Sequence, residues 1–324
     1  MQSFEHVAVI AKPDGNIACY VQELVKIIER SGCTPHLDEN ALAHMPNPGS
    51  YHSGPVSELA RDCEAAIAIG GDGTMLGAAR MVAPYGIPVI GINAGRLGFI
   101  TDIVIEDMHR LVPSMLSGHY VVDKRSLLEG EVYRNGEKLF QEHGVNDIGI
   151  SHGRALGMVE YTVYVDGQQM AVQHADGVIV STATGSTAYA MAAGGPIMHP
   201  QCKNMLMVPV APHTLSNRPI VLSSRSIIDI ELNETRSAVA SFDAQVLFDV
   251  AAGDVLRIYV SPYTFTMLHP VGYNHFDLLR RKLKWNYLPK AERPIHTPVH
   301  KQTAPAVIRA PVPLAARTDP PPRG

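Results

Sequence analysis

Chemistry in this chain is first suggested by Gly70-Gly71-Asp72-Gly73-Thr74, directly after the small apolar run Ala65–Ile69. Three glycines around one carboxylate allow backbone N–H groups to approach a ligand closely, because glycine carries no Cβ and tolerates unusual φ/ψ. A helix expected from about Thr74 to Val82 would present its free N–H groups and the positive end of its dipole to a phosphate. The turn is not a Walker A loop, since no Gly-Lys-Ser/Thr follows the glycines. Nor does Asp72 suit a bare pyrophosphate, which it would repel unless a divalent cation or a sugar hydroxyl intervened. The turn therefore reads as the centre of a phosphoryl-transfer site.

A second stretch runs from Asp176 through Ser181-Thr182-Ala183-Thr184-Gly185-Ser186-Thr187-Ala188-Tyr189 to Ala192-Ala193-Gly194-Gly195-Pro196. Five hydroxyl side chains and a glycine fall within seven residues after an apolar strand, which suits phosphate or ribose oxygens. Gly-x-Ser-x-Gly is absent, so a hydrolase nucleophile elbow is not supported. A third candidate, Asn146-Asp147, pairs an amide that both donates and accepts with a carboxylate that accepts from hydroxyls, a combination fit for a base edge and a ribose diol. Two further stretches, Pro209–Val221 and Ser241-Phe242-Asp243-Ala244-Gln245, hold His213, Arg218, Asp243 and Gln245, all equally at home in ordinary polar structure.

In combination and in order, GGDGT, Asn-Asp, DGxxVST-TGSTAY-AGGP, PHTLSxRP and the final LLRRKLKW resemble the NAD kinase family from about Phe4 to Trp285. GGDG alone is shared with 6-phosphofructokinases and with diacylglycerol and sphingosine kinases, whereas TGSTAY followed by AGGP is far more specific. The resemblance implies a Rossmann-like parallel α/β N-terminal domain, a β-sandwich-like C-terminal domain and an active site between them. It implies phosphorylation of the 2′-hydroxyl of the adenosine ribose of NAD to make NADP. ATP or polyphosphate would be the donor, a divalent cation such as magnesium would accompany it, and the assembly would be a homodimer or homotetramer. By the same resemblance Asp72 is the proton acceptor, flanked by Gly71 and Gly73. Asn146, Asp147, His174 and Asp176, the segment Thr187, Ala188, Tyr189, Ala190, Met191 and Ala192, and Gln245 would contact the dinucleotide. Related enzymes often have Pro at Ala183, Arg at His174 and Gly at Ala244, so these positions depart from the pattern. A diacylglycerol-type lipid kinase is the alternative with similar chemistry, and a non-catalytic dinucleotide-binding regulator the alternative from another class.

The elements that would position these residues divide into two textures. Up to about residue 125, strands expected at Val7–Lys12, Thr34–Leu37, Ala65–Ile69 and Pro88–Asn93 alternate with helical spacing from Ile17 to Ile28 and from Ile105 to Leu116. That alternation indicates an open parallel sheet, with ligands beyond the carboxyl ends of its strands. From 126 to 270 short alternating segments recur, with Asn135-Gly136 and Asp166-Gly167 as hairpin signals, so this domain reads as β-rich. Residues 271–288 contain one amphipathic helix, Phe276–Trp285, expected to pack back on the first domain through Leu278, Leu279 and Leu283. Nine of the 24 prolines lie in 289–324, which reads as a disordered or polyproline-like tail of net charge +4.

Composition excludes several classes. A net charge of −4 and a pI near 6.4 argue against a nucleic-acid partner. No apolar run is long enough for a membrane span, and the N-terminus lacks a signal-peptide layout, so a cytoplasmic location is expected. The four cysteines form no C-x-x-C pair and the 15 histidines no H-E-x-x-H, so neither disulfides nor a protein-held metal site is expected.

Overall fold

The computed structural model describes residues 4–13, 15–95, 98–153, 157–235 and 237–284. The chain forms two compact units. The first holds the residues up to Met75, Ile87–Asp123 and the described residues from Thr266 on; the second holds Leu76–Gly86 and Lys124–Phe265.

In the first unit β1 (His6–Ala11), α1 (Ala18–Arg30), β2 (Thr34–Leu37), α2 (Glu39–Ala43), β3 (His52–Ser53), α3 (Val56–Asp62), β4 (Ala65–Gly70), the start of α4 (Asp72–Val82), β5 (Val89–Asn93), β6 (Ile103–Val104) and α5 (Met108–Leu116) follow in turn. The strands lie in the order β3-β2-β1-β4-β5, every pair parallel. β4 is buried along its whole length, as its uninterrupted small apolar sequence requires. One face of the sheet is closed by α1, through Val21, Leu24, Val25, Ile27 and Ile28, and by α5, through Met108, Val112, Met115 and Leu116. Strand order reverses between β1 and β4, so the glycine turn after β4 lies at a switch point, where open α/β sheets bind ligands.

Two local expectations change. The segment from Ile105 opens as a 3-10 turn, Ile105–Asp107, before the α-helix proper, and Pro113 is tolerated inside α5 because that helix is held by its buried face. α4 starts at Asp72, two residues earlier than the turn sequence suggested: Met75 N donates to Gly71 O at 3.2 Å. The catalytic candidate is thus the first residue of the helix, where its charge is favoured by the dipole.

The second unit is antiparallel and contains two sheets. β7 (Tyr120–Arg134) and β8 (Glu137–Gly144) pair across the Asn135-Gly136 turn, and β10 (Val159–Val165) and β11 (Gln168–Ala175) across Asp166-Gly167. Both turns have positive φ at both residues, the backbone that the Asn-Gly and Asp-Gly pairs favour. In the other sheet β9 (Asp147–His152) and β12 (Gly177–Ser181) are central. After β12 comes the short α6 (Tyr189–Ala192). β13 (Met205–Val210) and β14 (Ile220–Leu222) extend the sheet from β12. β15 (Ile228–Glu234) joins the first sheet, while β16 (Ala238–Phe242) and β17 (Val246–Val250) extend the second from β9. β18 (Val255–Pro270) completes the first sheet beside β15. Ile148, Ile150, Val178, Val180 and Phe242 from one sheet and Tyr161, Val163, Ile230 and Ile258 from the other share one apolar core, the packing of a β-sandwich.

The helix α7 (His275–Leu283) belongs to the first unit and buries Leu278 and Leu279. Trp285 and the proline-rich segment 289–324 lie outside the described residues.

Candidate functional site

The candidate residues form one group in each unit. In the first, the Asp72 carboxylate is engaged by the second glycine-rich turn, the one after β5. Its Oδ2 accepts from Phe99 N at 2.7 Å; its Oδ1 accepts from Ile100 N and Thr101 N, both at 3.3 Å, and from Thr101 Oγ1 at 3.1 Å. Asn93, the last residue of β5, donates to Thr101 Oγ1 at 2.8 Å and accepts from Gly95 N, so the strand end fixes the loop that fixes Asp72. Gly98 closes the arrangement. A Cβ there would stand 1.7 Å from Asp72 Oδ1, so no other residue leaves the carboxylate where it is. Lys282 of α7 holds its ammonium 5.8 Å from the centre of the Phe99 ring. Burial pushes its amine below the usual lysine range, and the charge of Asp72 opposes the shift.

In the second unit the corner between β8 and β9 is determined from two sides. Asp243, whose side chain is fully buried, takes three successive amides: Val145 N at 3.0 Å, Asn146 N at 2.7 Å and Asp147 N at 3.1 Å. Its charge is met by Arg80 of α4, whose Nη1 donates to Asp243 Oδ2 at 2.6 Å while Nη2 donates to Gln245 Oε1. From the other side Thr182 Oγ1 donates to Val145 O at 2.7 Å, and Ser181 Oγ and Thr182 N donate to Asn146 O. Gly185 rests directly on this corner, since a Cβ there would lie 2.0 Å from Asn146 O. The backbone of 145–147 has few freedoms left, and the Asn146 and Asp147 side chains are aimed by it.

Both residues line a cavity of about 370 Å³, together with Gly149, Ser151, Ile179, Ala188, Tyr189, Ser241 and Ala244. This is within the usual range for small-molecule pockets. Asn146 Oδ1 is buried and has no hydrogen-bond partner, an acceptor waiting for a donor. Tyr189 is 53% exposed, unusual for an aromatic ring at a cavity wall, and offers a stacking face. Burial, and then the neighbouring charge of Asp243, pushes the Asp147 carboxyl up to about 7.

The hydroxyl-rich loop differs from its sequence reading. Its hydroxyls point inward: Ser186 Oγ donates to Ala183 O and accepts from Met198 N, and Thr187 Oγ1 donates to Thr184 O. Ser181, Thr182, Thr184, Ser186 and Thr187 are all buried. The loop brings Ala188 and Tyr189 to the cavity and uses its oxygens to brace the backbone. Ala190 is buried, while Met191 and Ala192 continue α6. Asp176 joins β11 to β12 through its backbone, Asp176 N donating to Val210 O. His174 stands apart from the cavity. It lies on β11 in the first sheet, its Nε2 3.2 Å from Glu160 Oε2, and lines a separate acidic concavity with Glu160 and Glu234. Alternation explains this: on β11 Gln173 and Ala175 are buried, so His174 between them is on the exposed face.

Sequence reasoning missed Arg80, Gly98, Thr101 and the organising role of Asp243. Among the described residues no helix is long and apolar enough to cross a membrane.

Comparison with known proteins spans both units. A family model described as the ATP-NAD kinase N-terminal domain matches residues 7–120, and one described as the ATP-NAD kinase C-terminal domain matches 145–269. The NAD kinase of Delftia acidovorans is 42% identical over 292 residues, covering 88% of this chain and 98% of the relative. That of Cupriavidus pinatubonensis is 47% identical over 232 residues, covering 72% and 76%. At the level of fold, yeast NADH kinase crystallised with NADH superposes with a TM-score of 0.81 at 22% identity, covering 89% of this chain and 90% of that one. An NAD kinase from Archaeoglobus fulgidus in complex with ATP gives 0.66 at 23% identity, covering 86% and 97%. With these relatives and both family models, the chain is a phosphotransferase with an alcohol acceptor. The chain belongs to the NAD kinase family.

Proposed function

We propose that this enzyme transfers the terminal phosphoryl group of ATP to the 2′-hydroxyl of the adenosine ribose of NAD, releasing NADP and ADP. The observation behind this reading is the Asn146-Asp147 corner. An unpaired buried amide oxygen suits the exocyclic amine of adenine, the adjacent carboxylate suits ribose hydroxyls, and Tyr189 offers a stacking face beside them. A lipid acceptor would give these polar groups no partners.

A ribose hydroxyl is far less acidic than a carboxylic acid, so Asp72 does not deprotonate it in advance. Its proton moves late, as the oxygen attacks the γ-phosphorus, and Asp72 orients the hydroxyl until then. For that the incoming hydroxyl replaces one of the long 3.3 Å backbone contacts to Oδ1, while the 2.7 Å bond from Phe99 N keeps the carboxylate in place. Amides of the glycine turn and the α4 N-terminus lie at the donor's phosphates. Magnesium would come with the donor as part of the substrate and would neutralise charge on its phosphates. The described residues hold no group of three or more His, Cys, Asp or Glu that could cage a metal, and a magnesium ion bound mostly by phosphates and water requires none. The same reading has the enzyme working in the cytoplasm as a homodimer or homotetramer, with polyphosphate as a second candidate donor.

The test is the purified protein with MgATP and NAD, scored for NADP, with diacylglycerol as a parallel acceptor. NADP formation without lipid phosphorylation is the expected result. No NADP with ATP or polyphosphate would overturn the reading in favour of a regulator.

A further inference from the structure

One buried group in the first unit has no part in the reaction as described. His269, near the end of β18, is completely buried. Its Nδ1 meets Asp102 Oδ2, and its Nε2 lies 3.2 Å from Asp123 Oδ2. The ring stacks on Tyr273 with centroids 3.8 Å apart and planes 4° from parallel. An ionised carboxylate only accepts, so each contact asks the ring for an N–H, and the ring that satisfies both is the imidazolium. Its position over an aromatic face favours that cation further.

Asp102 directly follows Thr101, which is 1% exposed and touches Asp72 through both its N and its Oγ1. The loop on Asp72 is thus tied at three places. Gly98 abuts the carboxylate, Asn93 holds Thr101 Oγ1, and His269 holds Asp102. Two of the loop's bonds to Asp72 are already long, at 3.3 Å, so a small shift of the 101–102 backbone moves the carboxylate out of line. We propose that His269 is a positioning residue for phosphoryl transfer, acting through Asp102 on the loop that holds Asp72. The inference rests on the function proposed above.

A merely structural ion-pair cluster would respond to the loss of either arm; a positioning device responds to the Asp102 arm. Asparagine places its amide near the position of Nδ1, and glutamine near that of Nε2. His269→Asn is therefore expected to keep kcat within about threefold of wild type. His269→Gln should lower it by ~10- to 100-fold with KM for NAD within about twofold, the cost of a misplaced group in a site that depends on alignment. Asp102→Asn should behave like His269→Gln, and Asp123→Asn like wild type. In parallel, amide hydrogen exchange of the 98–101 segment should quicken in His269→Gln and Asp102→Asn but not in His269→Asn. Equal losses in the two His269 variants, a loss in Asp123→Asn as large as in Asp102→Asn, or an effect confined to KM would overturn the proposal. A wild-type protein that makes no NADP would instead overturn the functional reading, and the exchange measurement would then decide the positioning claim by itself.

Discussion

The surroundings of Asp72 and the Asn146-Asp147 corner solve the same problem, holding a carboxylate ready for a substrate, by different means. Asp72 lies on contiguous chain: strand, glycine turn and helix within Ala65–Val82, with a single loop from Phe99 to Thr101 supplying its donors. Asp147 sits on a corner that residues distant in sequence hold in place: Arg80 and Asp243 from one side, Ser181, Thr182 and Gly185 from the other. The first arrangement leaves its carboxylate half-exposed and saturated with donors. The second buries its carboxylate beside another acid and leaves it short of them. A carboxylate rich in donors stays oriented, which a proton acceptor needs until late in the reaction. One short of donors gains most when a ligand brings hydroxyls. The contrast predicts that damage at Asp72 appears in turnover, and damage at the corner in stability and NAD affinity.

The largest expected effect is that of Asp72→Asn. The amide keeps the shape but cannot accept the proton, so kcat should fall by ~10²- to 10⁴-fold. NAD affinity by calorimetry should stay near wild type; a variant with near-normal turnover would end the assignment. Next is Asp243→Ala, which strips Arg80 of its buried partner and leaves three amides unmatched. The loss in unfolding free energy by urea titration should be about 3–5 kcal/mol, with kcat of the folded fraction less affected than KM for NAD. If Asp243→Ala cost no stability, the corner would be held by something other than this carboxylate.

The same contrast sets what could be read from the chain. Asp72 and its turn are legible because an uninterrupted small apolar run and glycine punctuation are local signals, and so are β4, β5 and both Asn-Gly and Asp-Gly hairpins. The sandwich strands are legible as segments, but β7 and β18 are much longer than their alternating cores, since buried polar residues such as Asp123, Arg125 and Ser261 interrupt the apolar pattern. The organising role of Asp243 is invisible because nothing in Ser-Phe-Asp-Ala-Gln says that its partners are 96 to 98 residues away. The hydroxyls of 181–187 stand out in the sequence, but not their carbonyl partners: a Ser/Thr cluster advertises donors equally well to a ligand and to a carbonyl. Gly185 and Gly98 stood in the sequence as loop residues, and only the distances of 2.0 and 1.7 Å to a missing Cβ reveal what each accommodates.

A smaller effect comes from the titration of Asp147. Its carboxyl, pushed up to about 7 by burial and by Asp243, is largely neutral at pH 6. An acid whose folded pKa lies above its unfolded value contributes stability below about pH 4 that is lost as pH rises through 7. In the proposed binding mode the carboxylate accepts from ribose hydroxyls, so NAD binding is expected to run the opposite way and tighten over the same interval. KM for NAD should therefore fall between pH 6 and 8 in the wild type and stay flat in Asp147→Asn, measured at saturating MgATP. An identical pH profile in the variant would remove Asp147 from the binding account.

The smallest expected effect concerns the turn that carries Asp243. Asp243, Ala244 and Gln245 link β16 to β17; Asp243 and Ala244 have φ of +52° and +55°, the backbone of a primed turn, which Gln245 N closes by donating to Phe242 O. The aspartate tolerates that region better than most residues, and three amides and Arg80 hold it there. Ala244 has no such compensation. Its Cβ makes the left-handed region costly by about 1–2 kcal/mol, whereas glycine enters it freely and loses part of that gain through a looser unfolded chain. Ala244→Gly should thus raise the unfolding free energy by about 0.5–1 kcal/mol and leave KM for NAD unchanged, because the three amide bonds to Asp243 are already made. A loss of stability would mean that the turn is held in its conformation by the alanine methyl at the cavity wall, and that the β16–β17 turn contributes to the site by contact as well as by placing Asp243.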